Sequence, residues 1–273
     1  MAQIRKSVIA GTWYPGTKEK LNQTLEDFFS NVDLSSIDKK VIGLISPHAG
    51  FPFSGQTAAY GYSLIKNNQY DLVVVISPMH RMAFGSYLTT TADYYETPLG
   101  EVEVEQNFLK KLSDKIDLKF IADDNEHSLE IQLPFLQYTL KKFKLLPIMI
   151  SMVDIFNLNE IVNSLYEIIK NKNFLIIASS DFHHISDYQE VKERDKRAVK
   201  VLKTFNIKNI KEILSEPETS ICGKVPISIL LEISKRFDAS EIQILHQTNS
   251  GDVTGEKIPG QYTVGYVSAA VLK

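Results

Sequence analysis

Three apolar runs in this chain each stop at a residue that can hold a metal ion or move a proton. VIGLISPHAG (41–50) presents His48, and VVVISPMH (73–80) presents His80. LIIASSDFHH (175–184) presents Asp181, His183 and His184. Two of the endings carry Ser-Pro just before the histidine. Proline cannot donate a ladder hydrogen bond, and it biases its neighbour away from helix. Each Ser-Pro should therefore stop its strand and hold the next residues in a fixed loop. Read singly, such histidines are usually surface or hydrogen-bonded residues. Read together, they suit a shared polar site, because ligands of open α/β sheets bind outside the carboxyl ends of the strands. Two imidazoles with a soft or acidic third donor make a mononuclear transition-metal site. Neutral imidazole suits iron, copper and zinc, and the third ligand selects among them.

Cys222 in TSICGKVPISILLEI (219–233) can be that third donor. It precedes an apolar helical pattern, where a thiol pKa is lowered, and Lys224 adds to that effect. A lone cysteine is as readily an inert, buried small residue. His127 and Glu130 in DDNEHSLEIQLPFL (123–136) are three apart and share a helix face. They can ligate metal, move protons, or belong to a solvated helix start capped by Asn125. Trp13 and Tyr14 sit in the Gly/Pro-bracketed turn GTWYPG (11–16), where aromatics line a binding site or plug one end of a core. No glycine spacing of a nucleotide loop and no Gly-x-Ser-x-Gly elbow is present.

The elements that position these residues alternate in period. Strand-like runs lie at 40–46, 71–77, 144–151, 173–179, 241–247 and 262–272. Several are apolar on both faces, as strands covered on both sides are. Helical spacing appears at 18–32, 55–67, 106–116, 129–143, 155–171, 188–205 and 225–237. This order predicts one α/β domain over 1–273, with a central, mostly parallel or mixed β-sheet and helices on both faces. The 41–46, 71–77 and 173–179 strands should lie side by side or nearly so. The stretch 85–105 alternates with period two around Pro98-Leu99-Gly100 and reads as a hairpin attached to the main sheet.

Composition narrows the function classes. The chain has 273 residues, 44% hydrophobic and 23% charged, with a formal net charge of −3. Only five of the basic residues are arginine and none cluster, so there is no basic footprint for nucleic acid. The N-terminal apolar stretch is too short for a signal-peptide core, and no run reaches the roughly 20 residues of a membrane span. One cysteine leaves no internal disulfide, which points to a reducing, cytoplasmic location.

Seven motifs in order carry a family resemblance: GTWYPG, SPHAGFPFSGQTAA, SPMH, EHSLEIQLPFL, SSDFHH, CGKVPI and QTNSGD. From about residue 5 to the C-terminus the chain resembles the Memo family, whose prokaryotic members are also called AmmeMemoRadiSam system protein B. The resemblance implies the fold of LigB-type class III non-haem iron dioxygenases, in which two histidines and a carboxylate hold Fe(II) and another histidine is acid or base. It implies His48 and His80 as metal ligands, with Cys222 where the carboxylate would stand. It implies Asp181 and His184 as the proton-handling pair and His127 in the same cleft, and it gives His183 no role. Fe(II) is the metal implied, with Cu or Zn as alternatives because a thiolate is softer than a carboxylate. Three functions follow from the resemblance: a metal-dependent redox enzyme acting on a small molecule; a non-catalytic protein binding a peptide or modified residue; and a partner of a radical SAM modification system.

Overall fold

The computed structural model describes residues 2–35, 37–81, 84–140 and 142–273. In chain order the elements are β1 (Ile4–Arg5), α1 (Lys18–Ser30), β2 (Val41–Ser46), α2 (Phe51–Ser63), β3 (Leu72–Pro78), β4 (Tyr87–Thr90), β5 (Tyr94–Thr97) and β6 (Gly100–Glu103). There follow α3 (Gln106–Ser113), β7 (Leu118–Ile121), α4 (His127–Glu130), α5 (Leu133–Thr139), β8 (Lys144–Ile150), α6 (Asn159–Ile169) and β9 (Phe174–Ser179). The chain closes with β10 (His184–Ile185), α7 (Tyr188–Leu202), α8 (Ile207–Leu214), α9 (Lys224–Arg236), β11 (Glu241–Asn249), α10 (Ser250–Thr254) and β12 (Thr263–Leu272).

The main sheet runs β10-β12-β2-β9-β3-β8-β4-β7, with β11 also paired to β12. Its centre, β2-β9-β3-β8, is parallel. Every residue of β2, β3 and β9 is buried, which is why these strands are apolar on both faces. Successive side chains leave a strand on opposite sides. At Gly43 a β-carbon would meet Leu230 of α9 at 2.3 Å, while the next residue, Leu44, reaches toward Gly61 of α2. Helices thus cover both faces, and Gly43 is small because α9 packs directly on the strand backbone. The antiparallel β12 lies against β2 and closes that side of the parallel core.

β2, β9 and β3 are neighbours, as the shared strand endings predict. The reason is topological. The chain leaves β2 through α2, skips one position to form β3, and returns much later to insert β9 between them. That reversal is where an open α/β sheet parts at its carboxyl edge and leaves room for a ligand.

Several expectations are corrected. The hairpin at 94–103 forms, but in a separate three-stranded sheet with β1; only β4 joins the main sheet. The N-terminal segment supplies the missing edge, since Gln3 O accepts the amides of Asp93 and Tyr94. The pattern at 129–143 is two helices broken at Gln132, because Pro134 has no N–H to continue the first; Lys141 in that stretch lies outside the described residues. Pro78 does not stop β3 but pairs within it against Ile150. The helix expected at 55–67 starts at Phe51, with Pro52 in its first turn. α8 went unread: its lysines mask a face on which Ile210, Ile213 and Leu214 are buried.

Candidate functional site

The carboxyl ends of β2, β9 and β3 open into a cleft of about 410 Å³. His48, His80, His127, His184 and Asp181 all line it, and so does Trp13. Each is placed by a local reason. Beyond Ser46 the chain turns at Pro47, and the Asp181 carboxylate captures the turn by accepting the amides of His48 (2.7 Å) and Ala49 (3.2 Å). Ser180 N donates to Ser46 O, tying the end of β9 to the end of β2. His48 is almost wholly buried, and its Nδ1 lies 3.0 Å from Ser179 Oγ. That hydroxyl gives its one proton to Ser128 O and accepts from Gln132 Nε2. Nδ1 of His48 must therefore carry the proton toward Ser179. Its Nε2 keeps the lone pair and stands 3.1 Å from Cys222 Sγ. Burial, with His80 and His127 close by, holds the ring's pKa well below the ordinary value. His48 is then the neutral imidazole that ligates metals.

His80 follows β3, where its own amide and its Nδ1 both meet the carboxylate of Glu126, at 2.6 and 3.0 Å. The His48 and His80 rings are 5.2 Å apart, edge to face. His127, at the start of α4, stacks on His80 at 4.6 Å and packs against Trp13 at 4.4 Å. Burial would raise the Glu126 carboxyl, but the His80 ring and the amides of Ser128 and His80 together outweigh it and hold it at about 2. Burial also lowers His127 to about 4, only partly offset by Glu126. The cap of α4 is Glu126, whose side chain accepts from Ser128 N; Asn125 bonds Asp123 instead.

Cys222 sits two residues before α9. A β-carbon at Gly223 would lie 2.2 Å from Ser180 Cβ, so only glycine lets this loop press against the end of β9. The sulfur is brought to His48 by that contact. It is not among the residues that line the cleft, but its sulfur sits beside the free Nε2 of His48. The lowered thiol pKa read from the helix start is corrected: burial, then the Asp181 charge, push the thiol up.

Asp181 is buried, and burial lifts its carboxyl to about 7 against the two amide hydrogen bonds it accepts. Its Oδ2 is 4.0 Å from His48 Nε2. His184 is held by Ser220 Oγ on its amide and by Tyr262 Oη at its Nδ1, 3.0 Å away, while its Nε2 is buried with no partner among the described residues. Burial, then the neighbouring His80 and His183, bring it down to about 4. His183 faces the other way, with its Nδ1 on Asp195 at 2.7 Å.

Besides Cys222 and His183, two further sequence candidates fall outside the cleft. Tyr14 is buried, and its hydroxyl donates to Glu130 at 2.7 Å, so it packs behind Trp13 rather than facing a ligand. Glu130 does not pair with His127. Its carboxylate is wholly buried on Arg5, Ser7, Tyr14 and the Val8 amide. The sequence reading assigned no role to Glu126, Ser179 or Gln132, which hold the donors. All three lie in or next to the quoted motifs; for Ser179 and Gln132 the signal missed was a polar side chain in an otherwise apolar run, whereas Glu126 lies in a polar stretch with no local mark.

Among the described residues, two groups bring three donor atoms within 4.8 Å of one another: His48, His80 and Cys222, and His80, Glu126 and His127. In the second group the Glu126 oxygens already accept the amides of His80 and Ser128. The first group is the one with lone pairs to spare.

A family model described as Memo-like protein matches residues 5–270. A "MEMO1 family protein" of Methanosarcina mazei is 33% identical over 273 residues, covering 98% of this chain and 99% of that one. Another of Nitrosopumilus maritimus is 31% identical, covering 93% and 95%. Among solved structures, the uncharacterized protein JW3007 from Escherichia coli K12 superposes with a TM-score of 0.54 over 85% of this chain and 100% of that one. At 11% identity this likeness speaks to the fold. No helix among the described residues is long and apolar enough to cross a membrane.

Proposed function

This chain belongs to the Memo family, and from that premise we propose that its cleft is a mononuclear transition-metal centre held by His48, His80 and Cys222. The observation that carries the reading is the convergence of these three donors, from three distant parts of the chain, to within 4.8 Å of one another. The donor set fits such an ion. Two imidazoles have their second nitrogens engaged by Ser179 and Glu126, the arrangement that orients histidine ligands toward metals. Two nitrogens and a sulfur suit Fe(II), Cu or Zn. When bound, the ion would supply Lewis-acid or electron-transfer chemistry to a small substrate beside it.

The chain's own groups divide the remaining work. Asp181, with a carboxyl near neutrality at about 7, is poised to hold or release a proton at Oδ2. His184 is neutral, and Tyr262 fixes its orientation. Trp13, Pro52, Phe53 and Val264 form an apolar side that excludes water and takes the carbon skeleton of a ligand. This class of reaction is metal-dependent oxidation–reduction of a small molecule.

A second reading draws on the same apolar side and on Cys222 not lining the cleft: a non-catalytic protein that docks a peptide side chain there. Elemental analysis of protein purified without chelator, followed by oxygen-uptake measurements, separates the two. The metal-centre reading expects a near-stoichiometric transition metal that His48→Ala loses while keeping its circular dichroism. Full occupancy in folded His48→Ala, or a wild-type protein that takes up no iron, copper or zinc, rules it out. Metal without oxygen uptake on any small substrate favours docking.

A further inference from the structure

Glu126 makes more contacts to the cleft than any single role in capping α4 requires. Its carboxylate is wholly buried. Oε2 accepts the His80 amide at 2.6 Å, and Oε1 accepts the Ser128 amide at 2.9 Å. A backbone amide can only donate, so both oxygens act as acceptors. The same Oε1 is hydrogen-bonded to His80 Nδ1 at 3.0 Å, whereas His127 Nδ1, 3.2 Å away, makes no hydrogen bond with it. An imidazole nitrogen facing an oxygen that only accepts must present N–H. A neutral ring with its proton on Nδ1 has its lone pair on Nε2.

We propose that Glu126 is a positioning residue of the cleft, whose carboxylate fixes the Nδ1–H tautomer of His80 and so directs its Nε2 lone pair into it. His48 reaches the same state by a different route, through the Ser179 hydroxyl. Arg5 steadies the clasp from behind, donating to Glu126 O at 2.9 Å, while the Glu126 amide donates to Asp124 Oδ1 at 3.0 Å. One buried acceptor thus sets the donor state of an intended metal ligand. The consequence for metal affinity rests on the metal-centre reading; the tautomer does not.

The test uses the full chain with ¹⁵N-labelled histidine, free of metal, at mildly alkaline pH. Long-range ¹H–¹⁵N spectra read which nitrogen of each ring bears the proton. In the wild type, His80 should show Nδ1–H. In Glu126→Ala, His80 should relax toward the Nε2–H form that an unconstrained neutral imidazole favours, and His48 should stay unchanged as an internal control. Glu126→Asp, which still only accepts, should keep Nδ1–H. It also serves should the alanine variant fail to fold. Zinc titration against a chelator should show affinity weakened about ten- to a hundredfold in Glu126→Ala and partly restored in Glu126→Asp. Wild-type His80 with its proton on Nε2 overturns the proposal. So does a folded Glu126→Ala with an unchanged His80 tautomer, or with a changed one and undiminished zinc affinity. A wild-type protein that takes up no zinc, iron or copper overturns the metal reading instead, and the tautomer still decides Glu126.

Discussion

At the two ends of one short helix, the cap Glu126 and the last residue Glu130 meet opposite surroundings. Glu130 enters a closed cluster with Arg5, Ser7 and Tyr14 in which the carboxylate has a permanent cation and several donors. Glu126 faces imidazoles whose remaining nitrogens point into open space. Both carboxylates are wholly buried, so burial does not distinguish them. What distinguishes them is completeness. The Arg5 cluster spends its charges on itself, as a structural network does. The cleft leaves His184 Nε2 without a partner among the described residues and gathers lone pairs around one point. Unfinished polar contacts at a cleft mark the side that awaits a ligand; finished ones mark the side that holds the fold.

The largest expected effect lies on the finished side. Arg5→Ala leaves Glu130 buried without its cation and should cost about 3–5 kcal/mol in urea unfolding. A loss near zero would mean the cluster is not what fastens β1 to α4. Next comes Gly223→Ala, which drives a methyl group into the end of β9. It should cost about 1–3 kcal/mol and also displace Cys222, so that metal content falls with stability. Retained metal would show that the sulfur is no ligand.

A smaller effect concerns protons. Burial keeps the Cys222 thiol protonated at neutral pH, and ligation needs the thiolate. Metal uptake must therefore release that proton, and affinity should rise roughly tenfold per pH unit through the neutral range. Calorimetry in buffers of different ionisation enthalpy measures the release; a value of zero removes Cys222 from the ligand set. The smallest effect returns to the closed cluster. Tyr14→Phe removes one of several donors to Glu130 and should cost about 1 kcal/mol, with metal content unchanged. Altered metal content in that variant would break the separation between the two sides.

The residues that could be read from the sequence are those whose position follows from strand topology. His48, His80 and Asp181 each end an apolar run, and parallel neighbours place such ends together. Trp13 was legible as an aromatic in a fixed turn, but its neighbour Tyr14 points into the core, a choice set by Glu130 across 116 residues of chain. The pairing of Glu126 with His80 is likewise a tertiary fact. Nothing local distinguishes that carboxylate from Glu130, four residues on. The hairpin at 94–103 shows the same limit in the fold. Its turn was visible, but the strand that draws it into a second sheet comes from the N-terminal segment, far from it in the chain.

The spacing of the donors also bears on how the cleft is assembled in time. Cys222 and His48 are 174 residues apart in the chain, and the β2 strand that carries His48 is flanked by β9 and by the late β12. Contacts of such long range form slowly, after loop closure across most of the molecule. The donors therefore cannot meet on a partly folded or partly synthesised chain. An ion could not template the folding, as it does in small zinc modules; it would enter a finished fold. Refolding rates should then be the same with and without metal, and loading should follow as a separate, later phase.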